Sequence, residues 1–253
     1  MKVQFLGTGT STGVPQIGCQ CEVCTSNDPR DKRLRSSVRI EAGDVLLMVD
    51  CTPDFRQQVM PLPFQKIDGY LFTHEHYDHV GGIDDLRPFS RFGPVDLYME
   101  ERLEMAVRER MPYCFTPHGY GGIPNINIKR INHEEPFHVG PVEVIPIRVM
   151  HHMLPILGFR IGNFAYLTDV KTIPEEGVKK LHGLDTLVIS ALRKTEHISH
   201  QTLGEAVALT QAINPGRAYF SHLSHEMGLH AEVEKELPEN TFLAYDGLVI
   251  ESR

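Results

Sequence analysis

Apolar residues come in short runs separated by glycine, proline and charged positions, and runs of that length fit strands better than helices. The expected strands are Val3–Leu6, Val38–Ile40, Val45–Val49, Tyr70–Thr73, Val95–Tyr98, Val142–Val149, Gly158–Ile161, Phe164–Thr168, Leu187–Ser190 and Ala218–Phe220. Helical patterns lie between some of them. Pro53–Met60 carries proline near its first turn, Glu100–Arg110 is amphipathic, and Thr202–Ile213 stops before Asn214-Pro215-Gly216. Strands crowd the first half more than strict strand–helix alternation would give. The pattern predicts an α/β chain with two sheets and helices outside them, folded as one domain over 1–253, with no repeat or linker.

Composition narrows this picture. The 253 residues are 41% hydrophobic and 23% charged, which is ordinary for a folded soluble chain. No apolar run approaches the roughly 20 residues that cross a bilayer, so no membrane partner is expected. The opening MKVQFLGTG reads as a first strand and not as an export signal, which gives a cytoplasmic expectation. Net charge is −8, and no basic patch stands out, so nucleic acid is not an expected partner. The densest basic stretch, Arg30 to Arg39, reads as a solvated loop.

Chemistry concentrates in Thr73-His74-Glu75-His76-Tyr77-Asp78-His79. On an extended chain residues two apart share a face, so His74 and His76 can bind one ion together. Asp78 and His79 lie past the strand end, where a turn can aim them at a second ion. Gly81-Gly82 follows and offers backbone freedom for that turn. Imidazole suits zinc and other transition metals, and the carboxylate adds a hard oxygen ligand.

Three of the five cysteines, Cys19, Cys21 and Cys24, fall close together, a spacing that favours metal over disulfides in a chain without an export signal. Structural zinc takes four ligands, and His225, three residues after His222, is the candidate for the fourth. Cys51 and Cys114 read as buried structural thiols.

The HEHYDH run resembles the HxHxDH signature of the metallo-β-lactamase superfamily. That resemblance implies an αββα sandwich of two mixed β-sheets and further ligands at later strand ends. Carried over by position, His74, His76 and His151 would hold one metal, Asp78, His79 and His222 the other, with Asp169 bridging. Periodicity alone does not choose between His151 and His152. The stretch His151-His152-Met153-Leu154-Pro155-Ile156-Leu157-Gly158-Phe159-Arg160 resembles a pattern in which the first histidine ligates. The CxCxxC loop after FLGTGTSTGVP, the Gly82–Arg87 segment and the HLSH pair resemble the cyclic-phosphate phosphodiesterases of the carbon–phosphorus lyase pathway. The N-terminal part also resembles pyrroloquinoline quinone biosynthesis protein B. Ribonuclease Z shares the opening and the metal motif, but a glycine- and lysine-rich arm for tRNA is missing here.

The resemblance implies a hydrolase with two divalent ions (zinc or manganese) and one structural zinc, cleaving a small phosphodiester through a metal-bridging hydroxide. Asp78, besides ligating, and His200 are the expected catalytic residues, His200 serving the leaving alkoxide. Arg87, Arg193 and Lys194 could meet phosphate or sugar oxygens, but for each of them a surface ion pair is the favoured explanation. Asp84 and Asp85 are expected to support the ligands from behind. Thioester or lactone hydrolysis, or a non-catalytic metal-binding role in cofactor biosynthesis, are the competing functions. Homodimerisation is left open.

Overall fold

The computed structural model describes residues 1–115 and 122–252. Its strands are β1 (Lys2–Gly7), β2 (Ser37–Ala42), β3 (Val45–Val49), β4 (Gly69–Leu71), β5 (Val95–Met99), β6 (Ile126–Arg130), β7 (Phe137–Val139), β8 (Val142–His151), β9 (Leu154–Ile161), β10 (Phe164–Leu167), β11 (Thr186–Ser190), β12 (Arg217–Ser221), β13 (Thr241–Leu243) and β14 (Val249–Glu251). They form two seven-stranded sheets in the orders β14-β1-β2-β3-β4-β5-β6 and β13-β12-β11-β10-β9-β8-β7. Both are mixed. β3 to β6 run parallel in the first and β10 to β13 in the second, while the remaining neighbours are antiparallel.

Period-two alternation explains the layering. In β3, Val45, Leu47 and Val49 face the other sheet, where Leu157, Phe159, Phe164 and Tyr166 meet them. Met48 points the opposite way, under Phe55, Ile83 and Phe89. The outer face of the second sheet is covered likewise, with Leu167, Leu187 and Phe220 under Leu203, Ala206 and Ile213. Helices therefore cover both outer faces, and the expected αββα sandwich of two mixed sheets is what the chain forms. The helices are α1 (Glu22–Thr25), α2 (Phe55–Val59), α3 (Tyr77–Val80), α4 (Glu101–Arg110), α5 (Glu175–Lys179), α6 (Leu203–Ile213) and α7 (His230–Val233). No helix among the described residues is long and apolar enough to cross a membrane.

Helix α6 shows how local sequence sets a boundary. Thr202 accepts from the Glu205 backbone N–H while the Glu205 carboxylate accepts from the Thr202 N–H, a reciprocal capping box. At the other end Asn214 takes the left-handed conformation at φ 55°, which stops the helix where Pro215 could not continue it. The loop before β2 departs from expectation. Arg33 and Arg39 in the basic stretch are buried, not solvated. Arg33 donates to Thr8 Oγ1, to the Ala244 carbonyl and to His230 Nδ1, so it ties the N-terminal loop to the C-terminal segment. Gly7 is required by space: a Cβ there would lie 1.9 Å from the Arg35 carbonyl oxygen.

Candidate metal centre

The parallel strands end on one edge of the sandwich, and the candidate ligands leave from those ends. Thr73 to His76 follow β4, Asp78 and His79 lie on α3, His151 closes β8, Asp169 follows β10, and His222 follows β12. Three residues just past strand ends here have left-handed backbones: Asp50 (φ 63°), Asp169 (φ 54°) and His222 (φ 58°). Non-glycine residues adopt that region at a cost, which the surrounding packing must offset.

The side chains converge. One ligand atom from each of His74, His76 and His151 lies within 4.8 Å of the others, and the same holds for Asp78, His79 and His222. A third group, His74, His79 and Asp169, draws on residues of both, so the Asp169 carboxylate lies between them. Asp169 Oδ2 is 3.2 Å from His79 Nε2 and 3.3 Å from His222 Nε2. His151 is the one in the cluster. His152 is exposed, at φ 56°, in the β8–β9 turn. His200 is buried beside the centre, its Nδ1 3.8 Å from Asp169 Oδ1 and its ring 4.5 Å from that of His151.

Hydrogen bonds orient three of the candidate ligand rings, those of His74, His79 and His151. His79 Nδ1–H donates to Asp50 Oδ2 at 2.7 Å, and His151 Nδ1–H donates to the Ser199 carbonyl at 2.9 Å. Thr73 Oγ1 donates to Asp50 and accepts from His74 Nδ1 at 3.0 Å. With Nδ1 engaged, Nε2 keeps its lone pair for the centre. The Nε2 atoms of His74, His79 and His222 are buried with no hydrogen-bond partner among the described residues. Buried polar atoms are rarely left so. A cage of inward lone pairs and carboxylates, with Nδ1 of His74, His79 and His151 bonded from outside, fits divalent cations.

Electrostatics agree with that fit. Burial alone would raise the carboxyls of Asp78 and Asp169, yet the surrounding imidazoles, led by His79 for Asp78 and by His222 for Asp169, hold both well below the usual range. For His200 burial dominates, helped by His222 and His151, and pulls its pKa to about 3, so the ring is neutral at pH 7.

Some expectations fail. Asp84 pairs with Arg87 and accepts from the Cys114 thiol, and among the described residues neither it nor Asp85 bonds a candidate ligand. The supporting carboxylate is Asp50, fully buried at the end of β3 and overlooked in the sequence because a lone aspartate after an apolar strand reads as a turn residue. Arg193 and Lys194 pair with Glu226 and Glu236, and Arg87 with Asp84, as surface ion pairs. The two glycines after α3 serve space and not turn freedom. Their φ values are −63° and −92°, and a Cβ on Gly82 would lie 2.2 Å from the Thr52 carbonyl oxygen. Asp50→Ala should lower metal affinity or turnover by roughly 10- to 100-fold, because it frees the His79 ring and the Thr73–His74 link. Competition with a chromophoric chelator measures the affinity, and wild-type affinity in this variant would contradict the support assigned to Asp50.

The cysteine loop forms a second cluster. Cys19, Cys21, Cys24 and His225 bring one ligand atom each within 4.8 Å of one another. His225 Nδ1 is 3.5 Å from Cys19 Sγ and 3.3 Å from Cys21 Sγ. The Cys24 backbone N–H pulls the Cys21 pKa down to about 6, whereas burial lifts Cys24 to about 11. Three thiols and an imidazole in this arrangement match a tetrahedral zinc set. Cys51 and Cys114 are buried, as expected.

Comparison with known proteins agrees with the geometry. The family described as "Beta-lactamase superfamily domain" matches residues 46–223. A crystal structure of a new diphosphatase from the PhnP family is 38% identical, covers 98% of this chain and 96% of its own, and superposes with a TM-score of 0.92. A Porphyromonas gingivalis protein named octanoyltransferase is 42% identical over 98% of this chain, but this chain spans only 51% of it, about half its length. Zn²⁺-bound PqqB from Methylobacterium extorquens has a TM-score of 0.81, covering 99% of this chain and 100% of its own, at 20% identity, which speaks for the fold alone. The chain thus belongs to the beta-lactamase superfamily and, within it, to the PhnP family.

Proposed function

We propose that this protein is a two-metal phosphodiesterase acting on a small cyclic or nucleotide-like phosphate. The observation that carries the reading is the near full-length similarity to the PhnP-family diphosphatase, and the convergence of His74, His76, Asp78, His79, His151, Asp169 and His222 supports it. His74, His76 and His151 would hold one divalent ion and Asp78, His79 and His222 the other, with Asp169 shared. Zinc and manganese both suit this donor set. Such a pair, when bound, makes hydroxide available near neutral pH and neutralises charge on the phosphoryl oxygens. Cys19, Cys21, Cys24 and His225 would hold a structural zinc that pins the long N-terminal loop beside the centre. Free thiols suit a reducing compartment, so the reading places the protein in the cytoplasm.

The chain's own residues supply orientation. Asp50 and the Ser199 carbonyl lock the ligand rings, and Asp78 closes the side of the cage from α3. His200, neutral and buried next to Asp169, offers an N–H to the leaving oxygen. His200→Ala should keep its metals yet slow esters of poor leaving groups by about 10²- to 10⁴-fold. Bis-p-nitrophenyl phosphate, whose leaving group needs no proton, should suffer far less. Equal slowing of both substrates would remove His200 from the role.

A second reading has one observation behind it. The relative named octanoyltransferase brings thioester chemistry into view, although that name covers a chain of twice the matched length. Metal-loaded protein should be tested on bis-p-nitrophenyl phosphate, cyclic nucleotides, a diphosphate diester, octanoyl-coenzyme A and a lactone. Turnover of phosphate esters supports the first reading. Turnover confined to the thioester or the lactone would replace it.

A further inference from the structure

A cavity on the outer face of the first sheet has no share in the metal centre. It measures about 330 Å³, and none of the candidate ligands lines it. That size falls at the lower end of small-molecule clefts, roughly 300–1,000 Å³. Its walls are mostly apolar. Met48 points out from β3 under Phe55 of α2 and Phe89 of the 3-10 segment Ile83–Phe92, and the two rings lie 5.8 Å apart. Phe64, from the stretch between α2 and β4, closes one side with its ring 5.1 Å from that of Phe89. Met48, Phe55 and Phe89 are buried and form the floor. Met60 and Phe64 line the same cavity at 67% and 51% exposure, so they mark its mouth.

Charge at the cavity is unbalanced. Arg39 faces it from β2, directly across the ladder from Met48, and Glu41 neutralises it in an ion pair. Arg56 of α2 lines it too, and among the described residues its guanidinium has no hydrogen-bond or ion-pair partner. Arg91 adds a second guanidinium, 5.7 Å from the Phe64 ring, and no described carboxylate pairs with it. Asp85 is the one carboxylate in the lining. Two unpaired arginines at the rim therefore outweigh a single acid.

An apolar pocket gains from burying hydrocarbon, and a free guanidinium at its mouth gains most from a carboxylate, which can accept two parallel N–H bonds. A membrane surface would touch Met60 and Phe64 but would leave the space behind them empty. We propose that this cavity is a ligand site, separate from the metal centre, for a medium-chain alkyl carboxylate. The chain lies over Met48, Phe55 and Phe89, and the carboxylate meets Arg56, with Arg91 adding positive charge at the rim. The site is independent of the reaction assigned to the metal centre.

The test is calorimetric titration of the metal-loaded full chain with hexanoate, octanoate and decanoate, and with decanol and decyltrimethylammonium for comparison. Each added methylene should tighten carboxylate binding about three- to fourfold. Decanoate should bind about tenfold tighter than the alcohol or the ammonium. Arg56→Gln should remove most of that preference, Arg56→Lys should keep part of it, and Arg56→Gln with Arg91→Gln should bring the ratio near one. The thermal midpoint without ligand and the hydrolysis of bis-p-nitrophenyl phosphate should stay as in wild type. Equal affinity for decanoate and decanol, no binding of decanoate, or an undiminished ratio in the double variant would each overturn the proposal. So would binding confined to phosphatidylglycerol vesicles, or a sedimenting dimer that excludes decanoate, since the surface would then be a membrane or subunit contact.

Discussion

Asp169→Asn is expected to cut hydrolysis by about a thousandfold and to leave the centre short of metal. Asp169 is the carboxylate that belongs with both ligand groups. It contacts His79 and His222 directly, and it shares a cluster with His74. Removing its charge would take a shared anchor from both ions of the proposed pair, and losing several kcal/mol of metal-derived stabilisation corresponds to roughly three orders of magnitude in rate. Asparagine is the right substitution because it tolerates the left-handed backbone at φ 54°, where alanine would add strain. The change therefore tests charge and not folding. Elemental analysis after dialysis should show fewer ions per chain than wild type, with an unchanged circular dichroism spectrum. Full metal occupancy together with full turnover would deny Asp169 its bridging place.

Cys21→Ser is expected to act on stability first. The loop that carries Cys19, Cys21 and Cys24 has only a small apolar cluster of its own, built on Val14, Val23 and Cys24 with Leu229 against it. A cluster that small does not order a long loop unaided, and a metal staple supplies what burial does not. Loss of roughly 3–5 kcal/mol would lower the thermal midpoint by about 6–20 °C for a chain of this size. One equivalent of zinc should disappear while the ions at the histidine cage remain. The variant should also turn over more slowly, since His225 and His222 share one short turn after β12 and the loop reaches it through the Thr10 N–H bonded to the Leu223 carbonyl. An unchanged midpoint and zinc content would mean that the four residues bind nothing.

The central strands were legible because they are apolar on both faces and bounded by turn residues. β3 and β11 fall almost where their apolar runs predict. The edge strands were not. β6, β7, β13 and β14 are short and partly exposed, so they carry mixed residues that resemble loop. β9 begins at Leu154, earlier than expected, because Pro155 reads as a breaker although it pairs with Met150 in the ladder. The converging histidines and aspartates were readable because a metal site would impose residue type as well as position. Their number in one short run, and their recurrence after strands, leave few alternatives. Asp50 was not readable, because support for a ligand is a relation in space between strand ends that are neighbours only in the sheet, where β3 lies beside β4.

In the proposed enzyme, strand ends of the two sheets would cage two cations side by side. Anomalous-scattering maps from crystals grown with manganese and zinc, collected on both sides of each absorption edge, test it most directly. The account predicts two neighbouring peaks, one among His74, His76 and His151 and one among Asp78, His79 and His222, with Asp169 between them and a separate zinc peak at Cys19, Cys21, Cys24 and His225. A single peak in the histidine cage, or none under saturating metal, would contradict it.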